Sequence, residues 1–275
     1  VGDKVTLNEQ PPRGEAIRKA GIDIARGDVV LKTGVRLKPQ HCALAASVGT
    51  ARLTVYRRLR VATFFTGDEL VMPGEPLPPG RIYNSNRFML RGLLESLGCE
   101  VNDLGIVPDD LQTTRDALTS AASRADLIVS SGGVSVGEED HVKPAVQAEG
   151  TLDLWQIAMK PGKPLAFGHV RSVPFIGLPG NPVSSFVTFV LFARPFILRR
   201  QGRSEPLRTL ALRADFDWQQ SSRRREFMRA RLNDNGGLDI FPNQNSSVLT
   251  SVTWADGLID NPSEHLIHTG DIVRF

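Results

Sequence analysis

The sequence predicts an α/β protein: a three-layer, parallel-sheet domain over residues 59–200, preceded by a mixed segment (1–58) and followed by a small all-β domain (201–275). Three observations predict it. Between Arg60 and Arg200, short apolar runs alternate with helical stretches, the pattern of a parallel sheet with helices on both faces. Those runs are nearly continuous rather than alternating, as strands buried on both faces are. Beyond Gln201 the helical period is lost, and short β candidates follow, separated by Asn, Asp, Gly and Pro.

The first segment holds Arg/Gly-rich sequence, an apolar piece at Val29–Val35, and a helix opened by Pro39 and ended by Gly49. The small residues of that helix, Ala43, Ala46 and Ser47, suit close packing against a neighbour. In the second segment Arg60–Phe65 reads as a strand ending in Thr66-Gly67-Asp68-Glu69. Helical spacing follows at Phe88, Leu90, Leu93, Leu94 and Leu97, up to Gly98. Glu100–Val107 reads as a strand running into Pro108-Asp109-Asp110 and a helix over Leu111–Ser123. Asp126–Val129 leads into Ser130-Ser131-Gly132-Gly133, and Phe175–Leu178 into Pro179-Gly180-Asn181-Pro182 and a long apolar helix. In the third segment Leu210–Phe216, Glu226–Leu232, Asp239–Phe241, Val248–Thr253 and Ile272–Phe275 are the β candidates.

Composition narrows the function. With 33 Lys+Arg against 30 Asp+Glu, the net charge is only +3, which argues against a nucleic-acid-binding face. Cys42 and Cys99 have no metal-ligand spacing, and His265 and His268 sit in no zinc signature. Two thiols and no signal peptide point to the reducing cytoplasm. The apolar run Phe186–Leu198 is short for a membrane span and carries Arg194 and Pro195. The chain starts at Val1 rather than Met, within a polar stretch, so a longer natural protein is expected.

In open parallel sheets, ligands sit beyond the C-terminal ends of the strands. Four polar or Gly-rich loops fall there. In SSGGVSVGEEDHVK (130–143), Gly132, Gly133 and Gly137 let backbone amides approach a ligand, Ser131 and Ser135 add hydroxyls, and the loop opens a helix whose N-terminus favours an anion. A flexible turn is the plainer reading. Lys160 and Lys163 in KPGKP place two cations on a stiffened turn, for an anion or simply for solvent. In GLPGNP (177–182), Asn181 stands at the N-cap and Pro182 at the first helical position, whether for a ligand or only to start a helix. Asp68, Glu69, Asp109, Asp110 and Asp140 stand at the same edge. Carboxylates in a phosphate site point to a divalent cation, most often Mg²⁺, although Asp109 or Asp110 could instead cap the next helix. Arg223-Arg224-Arg225 reads as a solvated run or a reach toward a long anion.

Taken together, TGDEL (66–70), IYNSNR (82–87), LGIVPDD (104–110), SSGGVSVGEEDHVK (130–143), KPGKP (160–164) and GLPGNPVS (177–184) resemble the MoeA family of molybdopterin molybdenumtransferases, to which a domain of gephyrin is related. RGEAIRKAGIDIARGD (13–28) resembles the region before that domain, and the third segment resembles the family's C-terminal β domain. The resemblance implies a MogA/MoeA-like fold and a reaction: molybdate is inserted into adenylylated molybdopterin and AMP is released, with Mg²⁺ as cofactor. It implies Glu69, Asp109 and Asp140 as acidic site and metal residues, and Lys160 and Lys163 as anion binders. Thr66, Gly67, Ser131, Gly132, Gly133, Ser135, Gly137, Pro179, Gly180, Asn181, Pro182 and Ser246 would line the ligand. It also implies a homodimer, a MogA-type partner enzyme and molybdoenzyme acceptors, and a segment before Val1 that helps build the site. Ile22, Gln156 and Asn245 depart from the family's pattern, where Glu, a basic residue and Gly are usual. Two alternatives share the α/β domain: a MogA-like molybdopterin adenylyltransferase, and a catalytically weak scaffold.

Overall fold

The structure is a computed structural model that describes every residue except 1, 5, 7–9, 11, 135–139 and 204–206. It divides into two compact units, Val1–Val55 and Tyr56–Phe275. The first contains helix α1 (Pro39–Ser47), with Pro39 in its first turn. Gly49 follows at φ +80°, the left-handed conformation that ends a helix at least cost on glycine. Val29–Val35 forms no regular element.

In the second unit the chain runs through β1 (Arg60–Thr66), the short strands β2 (Leu70–Val71) and β3 (Ile82–Tyr83), α2 (Ser85–Ser96), β4 (Glu100–Val107), α3 (Leu111–Arg124) and β5 (Leu127–Ser131). It continues with α4 (Val142–Glu149), β6 (Gly150–Gln156), β7 (Met159–Lys160), β8 (Pro164–Val170) and β9 (Val173–Leu178). The main sheet has the order β4-β1-β5-β9-β8-β6. Its first four strands are mutually parallel, and β8 and β6 join antiparallel. The expected parallel sheet is therefore present with an antiparallel edge added.

Two-sided burial explains the apolar runs. Ala62, Phe64, Ile128 and Phe175 pack against α3 and α4 through Leu118, Ala121, Val142, Ala145 and Val146. Val61, Phe65, Leu127, Val129 and Ile176 face the other way, onto Leu90 and Leu94 of α2 and onto Phe189, Ala193 and Ile197. The last three belong to one long helical stretch, made of α5 (Pro182–Thr188), a π-helical turn (Phe189–Ala193) and α6 (Arg194–Arg200). At 19 residues it is long and apolar enough, by length and composition, to cross a membrane, which the shorter run Phe186–Leu198 did not suggest. Half of it is buried within the fold, as a core helix covering one face of the sheet.

The remaining elements are β10 (Ala211–Arg213), β11 (Arg225–Leu232), β12 (Leu238–Ile240), α7 (Thr250–Trp254), β13 (Gly257–Asn261) and β14 (Ile272–Arg274). They enclose their own core of Ala214, Trp218, Met228, Ala230, Leu238, Ile259 and Ile267. Val248–Thr253, expected as a strand, instead yields α7. Ser251 in that helix is fully buried and accepts a hydrogen bond from Arg229 Nε at 3.1 Å, so tertiary contact overrides its β-branched composition. Strand β7 pairs in parallel with β11 and ties this region to the α/β domain.

The entry to β1 is fixed by charge. Asp126 accepts from Arg57 Nη1 at 2.6 Å and Nη2 at 2.7 Å, and from the Arg60 backbone amide at 2.9 Å. The Arg57 hydrogen bonds, then those of Arg60, hold the Asp126 carboxyl far below the usual carboxylate range despite its partial burial. A depressed acid pKa stabilises the fold above the unfolded value and loses that contribution as pH falls. We expect Asp126→Asn to lower the melting temperature at pH 7, with the gap from wild type narrowing below about pH 4, where the unfolded carboxyl takes up its proton. Melting curves over this range check it.

Candidate functional site

Sheet order places β1 between β4 and β5, so the connection after β1 runs to the β4 side and that after β5 to the β9 side, the arrangement that opens a crevice at the C-terminal strand ends. A cavity of about 670 Å³ lies there, within the range that takes a small-molecule ligand. The ends of β1, β4, β5 and β9 all contribute, through Thr66 and Gly67, Asp109, Ser131 to Val134, and Pro179 to Pro182.

Two glycines set the closeness of these loops. Gly132 has φ +98°, and a Cβ there would overlap the Thr66 carbonyl oxygen. Gly133 has φ +62°, and its Cβ would stand 2.7 Å from Thr66 Oγ1. The β5 loop therefore lies directly on the end of β1, an approach only glycine permits. The Gly132 amide donates to the Leu178 carbonyl at 3.1 Å, which extends the β5–β9 pairing past the sheet. The loop runs into helix α4 at Val142, ten residues after Gly132, and Asp140 lines the cavity just ahead of it. Ser135 and Gly137 lie outside the described residues.

The two aspartates after β4 separate in role. Asp110 caps α3, its Oδ1 accepting from the Thr113 amide at 2.8 Å, and hydrogen bonding from the Thr113 side chain, then from its amide, holds the carboxyl below the ordinary value. Asp109 lines the cavity instead. Burial pushes its carboxyl above the usual range, and the nearby Asp68 and Glu69 add to the rise, while the Asp68 backbone amide donates to it and opposes the shift. Glu69 and Asp140 line the same cavity, and no Lys or Arg is among the described lining residues.

The basic residues sit elsewhere. Lys160 Nζ pairs with Glu226 Oε1 at 2.9 Å, and Glu226 is buried and also accepts from Trp218 Nε1 at 3.2 Å. Lys163 is exposed, and neither lysine lines the cavity. Ser246 uses its carbonyl to accept from the Val183 amide at 3.1 Å, whereas Ser247 is the β-domain serine that lines the cavity. Asn181 stands at the N-cap of α5 without a side-chain cap bond, and Pro182 occupies the first turn.

Asn84 and Asn86 line the cavity although sequence reasoning gave them no role. Asn84 Oδ1 accepts from the Arg87 amide at 3.1 Å and caps α2. Asn86 Nδ2 donates to Ser131 Oγ at 2.9 Å and to the Gly180 carbonyl at 2.7 Å. An Asn before an apolar helical pattern is a legible cap signal; the reach of Asn86 across the fold is not.

The arrangement combines close backbone loops, hydroxyls and clustered carboxylates, which together suit a phosphorylated ligand held with a cation. Residues 62–199 match the family described as a probable molybdopterin binding domain, which gives the class of the α/β domain. Residues 1–49 match the MoeA N-terminal region (domain I and II), and residues 211–275 the MoeA C-terminal region (domain IV). The chain belongs to the MoeA family. It is 47% identical over 201 residues to a molybdopterin molybdenumtransferase of Haemophilus influenzae, covering 73% of this chain and 50% of the relative. It is 36% identical over 272 residues to molybdopterin molybdenumtransferase 2 of Mycobacterium tuberculosis, covering 95% of this chain and 67% of the relative. A crystal structure of the molybdopterin biosynthesis MoeA protein from Pyrococcus horikosii superposes with a TM-score of 0.81 at 31% identity, over 92% of this chain and 63% of that one. The chain thus spans half to about two thirds of the length of these relatives.

Proposed function

We propose that this chain carries the substrate site of a molybdopterin molybdenumtransferase, which inserts molybdate into adenylylated molybdopterin and releases AMP. The observation that supports this most is the gathering of Glu69, Asp109 and Asp140 with the Gly132-Gly133 and Pro179–Pro182 loops around one cavity. In this reading the β5 glycines and Ser131 receive the phosphorylated pterin, and Thr66 and Ser247 bound it on either side. Lys160 and Lys163, outside the cavity wall, act on the oxyanion.

The carboxylates suit Mg²⁺. Among the described residues no three His, Cys, Asp or Glu are grouped as a metal cage, but Mg²⁺ needs only one or two carboxylates when phosphate oxygens and water complete its shell. Asp109, with its ionisation opposed by burial, Asp68 and Glu69, is the group a cation would relieve most. One or two of Asp109, Glu69 and Asp140 would hold it, and when bound it would neutralise the phosphoanhydride oxygens.

A cytoplasmic homodimer completes the reading, with a MogA-type enzyme supplying the adenylylated pterin and molybdoenzymes receiving the product. Ala43 and Ala46 on α1 are exposed small residues suited to such pairing; sedimentation as a monomer at micromolar concentration counts against it. The direct test is AMP release from adenylylated molybdopterin. We expect release that depends on both molybdate and Mg²⁺ and that falls by at least about 100-fold in Asp140→Ala, since loss of metal assistance removes several kcal/mol of charge stabilisation. Release that ignores molybdate would overturn the reading, and ATP-dependent adenylylation of molybdopterin would favour the adenylyltransferase instead.

A further inference from the structure

Asn86 lies on the first turn of α2, 8% exposed, and lines the cavity. Its Nδ2 makes two hydrogen bonds, to Ser131 Oγ at the end of β5, where one ligand loop begins, and to the Gly180 carbonyl in the loop after β9. Ser131 Oγ in turn donates to the Pro179 carbonyl at 2.9 Å, which closes the set. The β5–β9 pairing ends at Ser131–Leu178, and beyond it only the Gly132 amide bond to Leu178 continues the ladder. The loops that project past the sheet are therefore joined by the Gly132 amide, the Ser131 hydroxyl and the Asn86 side chain, and Asn86 lies 45 and 94 residues from its two partners in sequence.

The surroundings of Asn86 are costly for a purely structural group. Among the described residues its buried Oδ1 has no hydrogen-bond partner, and the same holds for Asn84 Nδ2 and Thr66 Oγ1 on neighbouring parts of the cavity wall. An unsatisfied buried polar atom is destabilising, and each such atom in a folded protein calls for a reason.

We propose that Asn86 is a positioning residue: it staples the β5 and β9 loops to each other and so sets the shape of the ligand cavity. Through Ser131, Pro179 and Gly180 it fixes where the backbone amides and hydroxyls stand before ligand arrives. The inference takes the cavity to be the ligand site, and its test separates the two claims.

The test compares Asn86→Leu with Leu94→Val, a change in the buried apolar face of the same helix. Hydrogen exchange in the ligand-free protein reads the staple itself. We expect the Gly132 amide to exchange at least tenfold faster in Asn86→Leu while α3 amides keep their rates, with no such change in Leu94→Val. Titration with adenylylated molybdopterin reads the consequence: Kd rises at least tenfold in Asn86→Leu and stays at the wild-type value in Leu94→Val. Should Asn86→Leu fail to fold, Ser131→Ala removes the shared hydroxyl and is judged by the exchange reading alone, since Ser131 itself lines the cavity. Wild-type exchange at Gly132 in the folded variant, or equal Kd shifts in Asn86→Leu and Leu94→Val, overturns the proposal. Failure of the wild-type chain to bind the adenylylated pterin counts against the proposed function and leaves the exchange result to decide the staple.

Discussion

Gly132→Ala is expected to abolish ligand binding and to weaken the fold around the strand ends. The residue holds φ +98°, where an L side chain is strained, by roughly 1–2 kcal/mol. The added Cβ also overlaps the Thr66 carbonyl, a backbone atom at the end of β1. That atom cannot swing aside as a side chain would, because Thr66 is in register with Val107 of β4. The β5 loop must move instead, and it carries Gly133 and the Leu178 bond with it. A displacement on the order of 1 Å at a binding site can cost about 100-fold. Titration should show at least that loss, with a melting temperature several degrees lower. Wild-type affinity in this variant would mean that the loop does not form the ligand wall.

Asp109→Asn is expected to separate activity from stability. Burial, with Asp68 and Glu69, raises the Asp109 carboxyl pKa. An acid with a raised folded pKa favours its protonated form, so the fold loses stability as pH rises from the unfolded value towards the raised one, and the penalty is fully present above it. Asparagine removes the penalty and can still accept from the Asp68 amide. Stability at pH 7 should stay level or increase, and the difference from wild type should vanish below about pH 4, where the unfolded carboxyl is protonated too. Mg²⁺-dependent AMP release should nevertheless drop by at least about 100-fold. A destabilised variant with normal turnover would assign Asp109 a structural role.

The parts of this molecule that could be read from sequence are those whose cause is local. β1, β5 and β9 announce themselves because burial on both faces leaves no polar alternation. Helix α2 shows its apolar stripe and its Gly98 stop. β6 and β8 were missed: β6 is a largely exposed edge with mixed burial, and β8 contains Gly168 and opens on Pro164. β7 is two residues long and exists through its pairing with β11, more than sixty residues on. β13 is hidden by Gly257, Asp260 and Asn261, residues that usually mark turns.

The site divides in the same way. Thr66, Gly67, Glu69, Asp109, Asp140 and the Gly132-Gly133 and Pro179–Pro182 loops could be placed because strand ends and glycines are local signals. The contributions of Asn86 and Ser247, the separation of Asp109 from the capping Asp110, and the pairing of Lys160 with Glu226 depend on chain segments brought together by folding.

The central claim, that the strand-end cavity receives adenylylated molybdopterin, is tested most directly by titrating that compound against wild-type protein and Gly132→Ala in the presence of Mg²⁺. Saturable binding by wild type at a one-to-one ratio, lost in the variant, is the predicted result. Binding of equal strength to both proteins, or none to either while both remain folded, would contradict it.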